Sequence, residues 1–307
     1  MSIILASIFI VFVILIGIIP FFLLYPFSDF IRFLICRIIG YRKEIILSNL
    51  KLCFPDLSEK ERKKMLVPIY KNLTDIIIEG IKSFTIGKRQ VVRRHKILNP
   101  EFFQQYLKKG QSVIAITAHY NNWEWGSLSA ALQTNMKVVG LYKPLSNPWV
   151  DRFLKWSRSR SGTILAPINK TTDAFENYAN QTAIFLMAAD QNPANPQKAY
   201  WVDFLGRETA FLHGPEKHSK KHKLPIVYID IVRKKRGYYT IVMSELIKDP
   251  MVYPEGEITQ VYASKVEEMI RRYPPNWLWS HRRWKHKNPS VLKDISPERG
   301  EKKLVLL

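Results

Sequence analysis

The first charged side chain in the chain is Asp29. Before it, Ile3 to Leu24 is almost wholly apolar, interrupted only by Ser7, Gly17 and Pro20. As a helix rising 1.5 Å per residue this run measures roughly 30 Å, the thickness of a bilayer's hydrocarbon core. Neither the positive start nor the small-residue cleavage site of a secretion signal is visible, so the run reads as a retained anchor. Pro20 lies near its far end, where a kink is tolerable. Arg32, Arg37, Arg42 and Lys43 follow, and the positive-inside bias places the rest of the chain on the cytoplasmic face. Phe30 to Ile39 mixes apolar residues with arginines, as a segment lying along the interface does.

The remaining composition narrows the partners. The chain carries 47 Lys and Arg against 26 Asp and Glu, a net charge of +21. That excess suits an anionic partner: nucleic acid, a lipid headgroup, a phosphorylated substrate or an acidic carrier protein. Cys36 and Cys53 are the only cysteines. Their spacing fits neither a disulfide framework nor a metal site, in keeping with a reducing compartment.

Beyond the anchor, Ser58-Glu59-Lys60-Glu61 fits a capping box, and helical patterning then runs, with a break around Pro68, towards Ile81. From Gly110 the rhythm changes. Short apolar runs at Ser112 to Ala118, Met136 to Leu141, Thr163 to Ala166 and Thr182 to Ala189 alternate with helical stretches at Trp123 to Leu132, Pro148 to Ser159 and Thr172 to Ala179. Apolar strands alternating with helices indicate an α/β fold, a mainly parallel central sheet flanked by helices. Leu224 to Val232 and Tyr238 to Ser244 fit a hairpin appended to that sheet, and Glu257 to Arg272 a late helix ended by Pro274-Pro275. The chain thus divides into a membrane anchor (1–27), an interfacial and helical lead-in (28–100), an α/β catalytic domain (101–287) and a polar tail (288–307).

In such sheets ligands bind beyond the carboxyl ends of the strands. Those ends carry His119, then Tyr142 and Lys143, then Asp190. The sharpest local feature is His119-Tyr120-Asn121-Asn122-Trp123-Glu124. With His119 closing a strand and Asn121 or Asn122 capping the next helix, Glu124 falls in the first helical turn and can fold back towards the imidazole. A carboxylate on one ring nitrogen fixes the tautomer and leaves the other nitrogen to take a proton from a hydroxyl. By itself H-x4-E is a weak signal, and a histidine at a strand end is often only structural. His213, His218 and His222 sit among lysines, which disfavour a bound metal and suit a solvated helix face. Trp279 to Lys285 mixes aromatics and cations; beside a membrane anchor, headgroup contact or core packing fits it better than nucleic acid. No G-x-S-x-G elbow or P-loop occurs.

Taken together, these motifs resemble the bacterial lipid A biosynthesis acyltransferases, the lauroyl and myristoyl transferases related to glycerolipid acyltransferases. The resemblance rests on the N-terminal apolar run, Ser48-Asn49-Leu50 with Cys53 to Glu59, His119 to Glu124, Tyr142-Lys143-Pro144 with Asn147-Pro148, Arg158-Ser159-Arg160, Asp190-Gln191, Phe204-Leu205-Gly206 and Trp279 to Lys285. It implies a glycerolipid acyltransferase-like fold and no cofactor beyond an acyl carrier protein thioester as donor. The implied acceptor is a lipid A precursor or a related anionic glycolipid, at the cytoplasmic face of the inner membrane. It implies His119 as general base oriented by Glu124, and substrate contacts from Asn122, Arg158, Arg160, Asp190 and Gln191, without a metal. Ala210 to Gly214 departs from the threonines many members carry there. Transfer to another glycolipid or aminolipid is the alternative, and a non-catalytic lipid-binding protein the more distant one.

Overall fold

The computed structural model describes residues 3–289, so the polar tail expected from residue 288 lies almost wholly outside the described residues. The apolar N-terminal run does not form one helix. Helix α1 (Ile3–Ile18) ends and α2 (Phe21–Phe33) starts afresh with Pro20 at its N-cap. Proline lacks the N–H that would continue the helix and disfavours helical backbone in the residue before it. The carbonyls freed by the break find donors. Lys82 Nζ donates to Gly17 O at 2.5 Å and to Ile19 O at 2.9 Å, and Thr85 Oγ1 donates to Gly17 O. An ammonium at a helix C-terminus satisfies orphan carbonyls and complements the helix dipole. Gly17 is needed there, because a Cβ would stand 2.8 Å from Thr85 Cγ2.

No helix among the described residues is long and apolar enough to cross a membrane. The expected single-pass transmembrane helix is therefore corrected to a bent pair of shorter helices. Their inner side packs on the body of the protein through Ile16 and Leu24, which cluster with Ile78. Their outer side stays apolar and exposed, with Ile4, Ile8, Phe12, Leu15 and Phe22 all more than half accessible.

Helices α3 (Lys43–Cys53) and α4 (Glu59–Lys82) form the lead-in. The capping box is present: Glu61 N–H donates to Ser58 Oγ and Ser58 N–H to the Glu61 carboxylate. The expected break at Pro68 is absent, and α4 runs through it. An interior proline costs ~3 kcal/mol, whereas burying a large apolar side chain returns roughly 1.5–3 kcal/mol; α4 buries Leu66, Ile69, Leu73, Ile76 and Ile78.

The rest is the α/β body. It comprises α5 (Lys88–Arg94), β1 (His95–Ile97), α6 (Gln104–Lys108), β2 (Val113–Thr117), α7 (Gly126–Gln133), β3 (Lys137–Tyr142), α8 (Pro148–Ser159), β4 (Ile164–Pro167), α9 (Thr171–Tyr178) and β5 (Ala183–Ala188). These are followed by β6 (Ala199–Phe204), β7 (Arg207–Leu212), α10 (Gly214–His222), β8 (Ile226–Lys235), β9 (Tyr238–Ile247) and α11 (Glu257–Arg272). The main sheet has the order β1-β9-β8-β2-β5-β3-β4, parallel throughout except for the antiparallel β8–β9 hairpin. All five residues of β2 are buried. Ile114 and Ile116 join the core on one face, and Val113 and Ala115 the core on the other. That double burial explains the unbroken apolar run in the sequence.

Two strand pairings were not anticipated: the short edge strand β1, parallel to β9, and the separate β6–β7 hairpin, which is built on the Phe204-Leu205-Gly206 turn, with φ of 53° at Leu205 and 74° at Gly206. The expected solvated face of α10 is also corrected. His218 is buried and stacks on Phe175 with ring centroids 4.2 Å apart.

Candidate active site

Strand β5 lies beside β2, with Thr117 opposite Ala188. Two residues beyond that pair, the chains leave the sheet at His119 and Asp190. His119 Nδ1 stands 2.6 Å from Asp190 Oδ1, and the His119 backbone N–H reaches both carboxylate oxygens at 3.0 Å. Trp277 Nε1 donates to Asp190 Oδ2 at 2.8 Å. Asp190 is only 1% exposed. Burial pushes its carboxyl up, but the adjacent His119 and the hydrogen bonds from His119 and Trp277 together hold it below the ordinary range. The pair is thus an ionised, buried carboxylate fixed on one imidazole nitrogen, leaving Nε2 for a substrate.

The carboxylate on the imidazole is therefore Asp190, not Glu124. Glu124 lies in the turn just before α7. Its Oε2 accepts from Arg158 Nη2 at 2.7 Å and its Oε1 from Trp123 Nε1 at 3.1 Å. Trp123 stands edge-on to the His119 ring, with centroids 5.0 Å apart, and the two carboxylates have different partners. Asn122 is fully buried and donates to Glu79 Oε2 at 2.6 Å. The structure thus does not bring its side chain to the cavity that holds His119. Arg160 likewise does not line that cavity. It turns back to cap the end of α4, donating to the carbonyls of Ser83 and Ile86. Asp190 lies behind His119 and does not itself line the cavity.

His119, Glu124, Arg158 and Gln191 share a cavity of about 570 Å³. It runs beneath α7 along the sheet face, past Thr117, Leu186, Gly140 and Leu165, and reaches Ile241 and His95 at the β9–β1 edge. Small residues at Gly126, Ala130, Gly140 and Ala188 keep it open. Apart from the charged cluster at the strand ends the walls are mainly hydrocarbon, a shape and chemistry that suit a long apolar chain with its reactive end at His119.

The segment after α11 positions this site, and the part of it nearest His119, Asn276 to Leu278, escaped the sequence reading. Leu278 N–H donates to His119 O at 3.2 Å and Asn121 N–H to Asn276 O at 3.0 Å. Tyr120 bridges to Trp277 as an isolated antiparallel pair. Behind it, Trp279 and Arg283 are buried, as the core-packing reading of that motif expected. Trp277 precedes the motif by two residues. The signal available was that a buried tryptophan needs an acceptor for its N–H, which the sequence alone could not name.

Comparison with known proteins identifies the family. The profile of the family described as bacterial lipid A biosynthesis acyltransferase matches residues 1–286. The lipid A biosynthesis lauroyltransferase of Escherichia coli (strain K12) is 23% identical over 258 residues, covering 83% of this chain and 83% of that protein. The palmitoleoyltransferase of the same organism is 22% identical over 246 residues, covering 80% and 79%. Among solved structures, the 1-acyl-sn-glycerophosphate acyltransferase PlsC of Thermotoga maritima aligns with a TM-score of 0.37 at 14% identity, over 83% of this chain and 97% of that one. With a profile match that runs from the apolar helices through the His119 loop to the tryptophan-rich segment, the chain belongs to the bacterial lipid A biosynthesis acyltransferases.

Proposed function

We propose that the protein transfers a fatty acyl group from an acyl carrier protein thioester to a hydroxyl of a lipid A precursor, with His119 as general base. The observation that carries this reading is the His119–Asp190 pair at the charged end of an apolar cavity. Asp190 accepts the Nδ1 proton, so Nε2 is the nitrogen that takes the proton of the acceptor hydroxyl. The hydroxyl oxygen then attacks the thioester carbonyl, the carbon–sulfur bond breaks, and the proton passes from Nε2 to the departing thiolate. Arg158, steadied by Glu124, lines the same cavity and supplies positive charge near the developing oxyanion. This assigns to Asp190 the orienting role that spacing alone suggested for Glu124.

Family membership and the names of the two relatives support lipid A as the acceptor. The basic surface, with a net charge of +21, suits both an acidic carrier and anionic lipid. The exposed apolar faces of α1 and α2 provide the contact with the membrane. Mass spectrometry of lipid A from host cells with the gene intact, deleted and restored tests the reading. Loss of one acyl chain on deletion, regained on restoration, is expected. Unchanged lipid A in a host without a redundant enzyme would refute the acceptor.

A further inference from the structure

Glu79 is a carboxylate with no exposed surface, on α4, and it touches no part of the cavity. Its Oε1 accepts from Tyr25 Oη at 2.9 Å, and its Oε2 from Tyr239 Oη at 2.7 Å and Asn122 Nδ2 at 2.6 Å. Its backbone carbonyl accepts from Trp125 Nε1 at 2.9 Å. None of these donors is a cation. Charged and titratable groups around it are Asp75 on the same helix, Arg233 on β8, Arg94 on α5, His95 on β1 and the two tyrosines. An apolar residue would fill the site without the cost of burying a carboxylate, so the geometry of its partners has to account for it.

One of those partners, Asn122, sits between His119 and Glu124. Asn122 Oδ1 accepts from Trp125 N–H at 3.0 Å, and its carbonyl lies 3.0 Å from His95 Nε2. That carbonyl can only accept, so His95 is the tautomer with its proton on Nε2, in keeping with burial lowering its pKa to about 4. The side chain and carbonyl of Asn122 are thus fixed from α4, from the start of α7 and from β1. The next residue on α4, Gly80, backs the loop too, since a Cβ there would meet Glu124 Cγ at 3.7 Å. Asn121, beside it, holds the left-handed conformation at φ 54°, a local cost that the surrounding bonds must offset.

We propose that Glu79 is a positioning residue of the active site: its carboxylate clamps Asn122, and so holds the loop from His119 to Glu124 against α4 and, through Tyr25, against the apolar helix α2. The inference rests on the reading of His119 as the base, since that gives the loop geometry its importance. Glu79 contacts no reacting atom and acts only through Asn122. A reacting group displaced by about 1 Å loses on the order of 10²-fold in rate.

The test compares purified wild type, Glu79→Gln, and the exchanged pair Glu79→Gln with Asn122→Asp, which restores an amide–carboxylate hydrogen bond with the groups reversed. For each, kcat, the KM for both substrates and the melting temperature are measured. Glu79→Gln is expected to lower kcat by roughly 10–100-fold with little change in either KM, and the exchanged pair to recover most of the loss. Unchanged kcat in Glu79→Gln overturns the proposal. So does an exchanged pair no faster than the single variant. Should Glu79→Gln fail to fold, Asn122→Ala leaves Glu79 its two tyrosine donors, and wild-type kcat there is equally fatal. His119→Ala is run alongside. Full activity in that variant would remove the reading of the base, an outcome separate from any result at Glu79.

Discussion

Thr117 of β2 faces Ala188 of β5 across a parallel ladder, and that register brings Asp190 to His119. Both strands end two residues before His119 and Asp190, so the sheet itself sets the 2.6 Å contact between imidazole and carboxylate. Neither side chain depends on a long loop for its position. Trp277 completes the arrangement from the far end of the chain, 87 residues beyond Asp190.

Trp277→Phe keeps the ring but removes the N–H that satisfies Asp190 Oδ2. One charge-assisted hydrogen bond is worth roughly 1.5–3 kcal/mol, so turnover is expected to fall about tenfold or more while the fold persists. Steady-state rates and circular dichroism on the same preparation check this. A wild-type rate would show that the indole only fills space.

Glu124 and Arg158 are expected to behave as one unit. Their carboxylate and guanidinium are partly exposed, at 28% and 23%, so the pair adds under about 1 kcal/mol to stability. Its effect belongs on the reaction. A double-mutant cycle with Glu124→Gln and Arg158→Met should give strongly non-additive losses of kcat, because the carboxylate acts through the guanidinium it steadies. Additive losses would show that the two act separately.

Stability should report on Glu79 through pH. Burial pushes its carboxyl from 4.5 up to about 7, outweighing the hydrogen bond from Tyr239. Between those values the folded state therefore binds more protons than the unfolded chain. This contribution to stability is fully present below about pH 4.5, falls as the pH rises, and levels off above about 7. Over that window wild type should lose on the order of 3 kcal/mol relative to Glu79→Gln. His95, buried and neutral, shifts stability the opposite way, but equally in both proteins. Denaturant titrations across the range measure the difference, and parallel curves would contradict it.

The bent α1–α2 pair should hold the protein to a membrane surface through its outward side chains. Phe12 and Phe22 are 56% and 74% exposed, and each apolar side chain buried in lipid contributes roughly 1.5–3 kcal/mol. Introducing Glu at both positions is expected to weaken sedimentation with anionic phospholipid vesicles by well over tenfold. Retention equal to wild type would place the membrane contact elsewhere.

Much of the architecture was legible because its signals are local. The apolar strands flanking His119 and Asp190, the Ser58 capping box and the Pro148–Ser159 and Glu257–Arg272 helices follow from short-range patterning. What escaped the reading depends on long-range pairing. Periodicity cannot say that β5 lies beside β2, so it could not choose between Glu124, five residues from His119, and Asp190, 71 residues away. Asn122 looked like a site residue because it lies within the motif; only tertiary packing reveals that Glu79 buries it. Hydropathy alone reported Ile3 to Leu24 as one span. The break at Pro20 prevails because Lys82 and Thr85, more than sixty residues on, satisfy the carbonyls it frees.

The most direct test of the account is the single-turnover rate of acyl transfer for purified wild type, His119→Ala and Asp190→Asn, with an acyl carrier protein thioester as donor and a lipid A precursor as acceptor. General-base help contributes on the order of 10²–10⁴-fold. His119→Ala should lose that factor, and Asp190→Asn should lose most of it, because its amide can no longer hold the imidazole as a carboxylate does. A His119→Ala enzyme that transfers the acyl group at the wild-type rate would contradict the account.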